Sequence, residues 1–210
     1  MADDLPAPSL PAAVLLASSP GGATTGGTTT AESAQVLLRP PTLDDASALC
    51  EAQRRNRDHL RPWDPRRAES WFTVEEQAAR LRDQLERREA GQVYPWVLVR
   101  GDRLVGAVNL NNVVAGPFRS ASMGYWIDRD EAGRGLATAA VRTVCRLADE
   151  ELRLHRIEAS TLLTNAASRR VLAKCGFEPI GQARNYLHID GAWRDHELFQ
   201  RLLNDRPPGD

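Results

Sequence analysis

Residues 131–152 read EAGRGLATAAVRTVCRLADEEL, a turn with Gly133 and Gly135 around Arg134 that becomes small apolar and charged residues at helical spacing. Leu136, Ala140, Val144, Ala148 and Leu152 recur every four residues, with Ala137, Val141 and Cys145 beside them. That stripe predicts a helix lying on a sheet, with Arg142, Arg146, Asp149 and Glu150 on its wet face. Two glycines at the mouth of such a helix admit three readings: an anion cradle, a turn too tight for side chains, or part of a dinucleotide fingerprint. A helix N-terminus has unpaired N–H groups and a partial positive charge, and glycines let a phosphate approach them closely. A dinucleotide site asks for G-x-G-x-x-G, whereas the third position here is Thr138, and Leu163, Thr164 and Asn165 end the next strand where an acidic residue is expected. The Lys-Ser/Thr step of a P-loop is missing as well. The cradle and the purely structural turn stay open on these residues alone.

Outward from this stretch, SASMGYWID (120–128) and HRIEASTLL (155–163) read as strands on either side of the helix, which makes them one parallel crossover pair. VYPWVLVR (93–100) and RLVGAVNLNN (103–112) flank a Gly-Asp turn and predict an antiparallel hairpin. QVLLRPPT (35–42) supplies a short strand, and Thr42 with Asp45 caps a helix from Leu43 to about Asn56. Thr73 and Glu76 open another helix, which Gly91 closes. The intervening NRDHLRPWDPRRAESWF (56–72) reads as a loop, broken by Pro62 and Pro65. NAASRRVLAKC (165–175) is a short helix stopped at Gly176, and Asp190-Gly191 turns a terminal hairpin. The sum is an α+β domain: a central, mostly antiparallel twisted sheet with one parallel pair and helices on both faces.

The 210 residues carry a formal charge of −1, which gives no basic excess for bulk nucleic-acid binding. The run Arg54, Arg55, Arg57, Arg61, Arg66 and Arg67 reads as a solvated face, or else as a patch for an acidic partner. Three dispersed cysteines and four histidines without ligand spacing predict no metal site and a reducing, cytoplasmic setting. No apolar run is long enough to cross a bilayer, and LPAAVLLAS (10–18) lacks the basic flank of a secretory signal. Composition predicts a disordered tail over 1–33, a single domain over 34–205, and a flexible terminus over 206–210.

Several motifs then fall in one order. AGRGLAT (132–138) resembles the pyrophosphate-binding turn of the GCN5-related N-acetyltransferases (GNAT superfamily), although Ala132 stands where the pattern has Gln or Arg. NRDHLRPWDP (56–65), NLNNVVAGPFRSASMGYWID (109–128) and NAASRRVLAKCGFEPIGQARNYLHIDGAWRDH (165–196) are similar to ribosomal-protein alanine N-acetyltransferases of the RimJ/RimL kind, and to the RimJ branch most of all. The likeness runs from Val36 to Leu203.

The resemblance implies the GNAT fold, with the parallel strands splayed to admit acetyl-CoA as donor. It implies that the pyrophosphate is held by Arg134, Gly135, Leu136, Ala137 and Thr138, and the pantetheine and thioester by backbone near Trp126 and Ile127. The Ile127 N–H is then the oxyanion donor and Ser168 the group facing the leaving thiolate, because Leu172 occupies the position where many members have Tyr. Asn165 is implied to hold the coenzyme, although its place also suits a helix cap. His59, Trp63 and Asp64 would line the acceptor groove. The implied acceptor is a protein N-terminus, of a ribosomal or other protein; a small amine such as a polyamine or aminoglycoside, or a non-catalytic coenzyme-binding role, stays open. At neutral pH roughly a fifth of α-amines but only about one lysine in a thousand is uncharged, so an α-amine acceptor asks little of a base. Asp128, Glu158 or a water relay are the candidates for that role.

Overall fold

The computed structural model describes residues 10–16 and 35–208. Strands β1 (Val14–Leu16), β2 (Val36–Arg39), β3 (Tyr94–Arg100), β4 (Arg103–Val114), β5 (Ser120–Ile127), β6 (Arg156–Leu162), β7 (Glu178–Ile189) and β8 (Ala192–Leu202) form one sheet in the order β1-β2-β3-β4-β5-β6-β8-β7. Every pairing is antiparallel except β5 with β6. The helices are α1 (Ala46–Arg55), α2 (Arg57–Leu60), α3 (Val74–Glu89), α4 (Leu136–Glu150) and α5 (Ala166–Lys174).

Strand alternation distributes the core to both faces. Trp96, Leu98 and Val105 join Ala140, Val141 and Val144 of α4 on one side. Their neighbours Val97 and Leu104 meet Ala52 and Leu49 of α1 on the other. Local chemistry sets the ends of the elements as expected. Thr42 and Asp45 form a reciprocal capping box, Thr73 Oγ1 accepts from the Glu76 N–H at 3.3 Å, and Gly176 has φ +78°.

What positions the site is where the parallel pair stops. β5 and β6 are in register only from Ser120↔Arg156 to Met123↔Ala159. β5 nevertheless continues to Ile127, and β6 stays on β8 as far as Leu162. Past Met123 the sheet therefore opens into two halves.

Three expectations are corrected. The segment read as a disordered tail holds β1, whose Leu16 is buried beneath α4; low-complexity neighbours hid a strand only three residues long. The rest of 1–33, apart from residues 10–13, lies outside the described residues. The loop at 56–72 is largely helical: α2 is followed by 3-10 turns at Arg61–Trp63 and Glu69–Phe72. Pro62 is tolerated there because the first residues of a helical turn need no N–H partner. Toward the C-terminus, Arg206 donates to the Asp149 carbonyl at 2.7 Å and Arg119 to the Pro207 carbonyl at 3.3 Å, so these two residues of the segment expected to be flexible have fixed partners, and 209–210 lie outside the described residues. Leu16→Ala is expected to remove about 2 kcal/mol of stability, read as a lowered urea midpoint at unchanged m-value; an unchanged midpoint would mean that β1 contributes nothing.

Candidate active site

The glycine turn follows a short 3-10 turn held by two anchored carboxylates. Asp128, fully buried, accepts from Arg55 Nε at 2.8 Å and from the Asp130 N–H at 3.0 Å, while Asn56 Oδ1 accepts from the Arg129 N–H at 2.9 Å. Glu131 receives Arg100 Nε at 3.0 Å and a second guanidinium nitrogen at 2.9 Å. From this fixed 3-10 turn the chain passes Gly133 (φ +77°) and Gly135 (φ +78°), and the second of these is the N-cap of α4. No side chain caps the helix, so the N–H groups of Leu136, Ala137 and Thr138 have neither an intrahelical nor a capping partner. A Cβ built on either glycine meets nothing within 4 Å, so the turn has open space beside it at the positive end of a fifteen-residue helix. Arg134 stands at the rim, 3.5 Å from Glu131.

Burial would push the Asp128 carboxyl up, but hydrogen bonds from the Asp130 N–H, Asn56 and Arg55 outweigh it and hold the group below the usual carboxylate range. A carboxylate so placed is an anchor, which removes it as a candidate base. Glu158, another candidate, is paired with Arg156 at 3.0 Å.

Ladder parity decides which backbone groups face the opening. The Asp128 N–H bonds the Val105 carbonyl at 2.9 Å, which makes Gly106–Ile127 a non-hydrogen-bonded pair and Ala107–Trp126 a hydrogen-bonded one. The main-chain groups of Tyr125 and Ile127 therefore point away from β4 into the opening. Trp126 is corrected: its backbone is spent on β4, and its side chain packs on the α1 face with Val97 and Leu104.

Across the opening, Asn165 Oδ1 accepts from the Ser168 N–H at 3.0 Å and caps α5. Ser168 Oγ lies 2.8 Å from the hydroxyl of Tyr125, a residue that sequence reasoning missed. Burial pushes the Tyr125 phenol up to about 12, against a smaller opposing effect of its bond to Ser168. Its only signal in the sequence is the period-two spacing to Ile127, which places both on one face of β5. Leu172 is core, and Cys175 is buried with its thiol pushed up by burial, which suits packing rather than nucleophilic attack.

Beyond the end of β6, a groove of about 420 Å³ lies between Trp63, Leu162–Thr164, and Asp190 and Asp195 of the terminal hairpin. Trp63 is 39% exposed and lines it. Asp64 backs it instead: its carboxylate accepts from Arg67 at 3.0 Å and its carbonyl from the Asp190 N–H at 3.1 Å. His59 is exposed on α2 and does not line the groove. The arginine run does not form a free basic patch. Arg54 bonds the Phe72 carbonyl at 2.6 Å, Arg55 bonds Asp128, Arg57 bonds Glu69, Arg67 bonds Asp64, and Arg61 and Arg66 lie 3.8 and 3.9 Å from Asp190. Among the described residues no group of three or more His, Cys, Asp or Glu is placed to hold a metal, and no helix is long and apolar enough to cross a membrane.

Residues 35–178 match the acetyltransferase (GNAT) domain family. The chain is 37% identical over 172 residues to "Probable N-acetyltransferase YjcK" of Bacillus subtilis, covering 81% of this chain and 95% of that protein. It is 36% identical over 167 residues to the [ribosomal protein uS5]-alanine N-acetyltransferase of Escherichia coli, covering 79% and 86%. Mycobacterium smegmatis RimJ, solved in complex with CoA-disulfide, superimposes with a TM-score of 0.77 at 34% identity, covering 80% of this chain and 82% of that one.

Proposed function

The chain belongs to the GNAT family of N-acetyltransferases, and from that premise we propose that it transfers the acetyl group of acetyl-CoA to the N-terminal α-amine of a ribosomal or other protein. The observation that carries this reading is the open sheet between β5 and β6, with uncapped amides of α4 at its mouth and the Trp63 groove bordering the end of β6. The coenzyme pyrophosphate is received by the N–H groups of residues 134–138, where a helix N-terminus stabilises an anion. The thioester lies along the exposed backbone of Tyr125 and Ile127, and Asn165 and Ser168 close the other side.

A neutral amine attacks the thioester carbonyl directly. The oxyanion that forms is met by the Ile127 N–H, a donor already fixed in the ladder and aimed into the opening. Collapse expels the thiolate toward Ser168. With Asp128 held as an anchor and Glu158 paired, no carboxylate named as a candidate base is free, and an acceptor that loses its own proton near neutral pH is the one such a site serves best.

The competing acceptor, a polyamine or aminoglycoside, needs an excess of acid in the groove. Asp190 already faces Arg61 and Arg66, Asp195 accepts from the Asn185 N–H at 2.8 Å, and Arg194 lines the same space, which favours a peptide. The test is a panel of peptides beginning with Ala or Ser, their N-blocked counterparts, polyamines and aminoglycosides, followed by CoA release and acceptor mass. The α-amine peptides are expected to exceed the others at least about tenfold in kcat/KM, with rates rising up to about pH 8 as the amine loses its proton. Equal turnover of N-blocked peptides or of polyamines overturns the α-amine assignment.

A further inference from the structure

We propose that Tyr125 is the positioning residue that aims the hydroxyl of Ser168 at the leaving sulfur. The inference rests on the reading of Ser168 given above and goes beyond it in naming what orients that group. The ladder between β5 and β6 ends at Met123–Ala159, and Tyr125 lies two residues further on. The 2.8 Å contact of its hydroxyl with Ser168 Oγ crosses from one half of the opened sheet to the helix on the other.

Polarity follows from chemistry. A phenol is a better donor and a poorer acceptor than an aliphatic alcohol, and burial keeps this one protonated throughout the neutral range. Its alternative acceptor, the Ser168 carbonyl, is 3.4 Å away, long for an O–H···O bond. Tyr125 therefore donates to Ser168 Oγ. The serine has one hydrogen left, and its rotor can no longer settle on Tyr125. Ser168 stands in the first turn of α5, one turn after the cap Asn165, so accepting from Tyr125 leaves the serine hydrogen for an acceptor in the opening.

The transfer balances without Tyr125 changing protonation state. A C–N bond forms, the C–S bond breaks, and the electron pair leaves on sulfur. The nitrogen gives up one proton to solvent, and the sulfur takes one up while the Ser168 O–H donates to it.

A double-mutant cycle on the full chain tests this with acetyl-CoA and an acetylatable peptide. Ser168→Ala is expected to lower kcat about a hundredfold. Tyr125→Phe, which keeps the ring, should lower kcat about tenfold, the effect of one hydrogen bond, with the KM for acetyl-CoA within about twofold. The double variant should be no slower than Ser168→Ala alone. Multiplied losses in the double variant, or a Tyr125→Phe change seen only in KM and melting temperature, overturn the proposal. Full activity of Tyr125→Phe beside an impaired Ser168→Ala overturns the role of Tyr125 and leaves that of Ser168 standing. Full activity of Ser168→Ala removes both.

Discussion

Asp128→Ala is expected to lower the unfolding free energy by about 3–5 kcal/mol, the range for removing one partner of a buried, hydrogen-bonded ion pair. The carboxylate is fully buried and satisfies Arg55 Nε at 2.8 Å, the Asp130 N–H at 3.0 Å and, more weakly, Arg103 at 3.3 Å. Without it, Arg55 is left as a guanidinium with 24% of its side chain exposed, retaining only its bond to the Leu104 carbonyl at 2.9 Å. Asp128→Asn should cost less, because the amide oxygen still accepts from the Asp130 N–H. Urea titration decides the point, and a loss below about 1 kcal/mol for the alanine variant would mean that the pair is solvated and inexpendable only in appearance. The pH dependence has a definite sign. The folded carboxyl titrates below its unfolded value of about 3.9, so its stabilisation is complete above that pH and is lost as pH falls through the folded value. Asp128→Ala should therefore flatten the acid limb of the stability curve below about pH 4. Because Asp128 follows Ile127 and opens the turn that leads to Gly133, a folded Asp128→Asn variant should also hold the coenzyme less firmly.

That anchor was illegible in the sequence for a physical reason. Asp128 and Arg55 are 73 positions apart, and nothing local distinguishes a buried carboxylate at a strand end from a catalytic one. The arginine run suffers from the same blindness: as a string it reads as one charged face, while the fold disperses its members among five partners, with Arg61 and Arg66 sharing Asp190. Caps and turns were legible because their chemistry closes within a few residues, as at Thr42 with Asp45, Thr73 with Glu76, and Asp190-Gly191. The crossover pair was legible because the four-residue stripe of α4 demands a sheet beneath it. The assignment of Trp126 failed on parity, which depends on how β5 registers against β4, and register comes from distant packing. Tyr125 needed the same register and also the return of the chain 43 residues later as α5.

Gly135→Val is expected to raise the dissociation constant for acetyl-CoA by roughly 30- to 150-fold, the equivalent of about 2–3 kcal/mol. Gly135 has φ +78°, where an L-residue is strained and a β-branched one most of all. Open space around the position means that no clash enforces the glycine, so the need for it lies in the backbone conformation. A valine lets the turn relax to negative φ, and the relaxed turn no longer presents in the same way the N–H groups proposed to receive the pyrophosphate. Rebuilding that set on binding charges the strain to the affinity rather than to the fold, so the melting temperature of the free variant should fall little. Asn tolerates left-handed backbone better than any β-branched residue, so Gly135→Asn should retain most of the affinity that Gly135→Val loses. Calorimetric titration with CoA and acetyl-CoA separates the causes. Equal losses for Asn and Val would point to bulk in the ligand's space, and wild-type affinity in the valine variant would mean that the anion is held elsewhere.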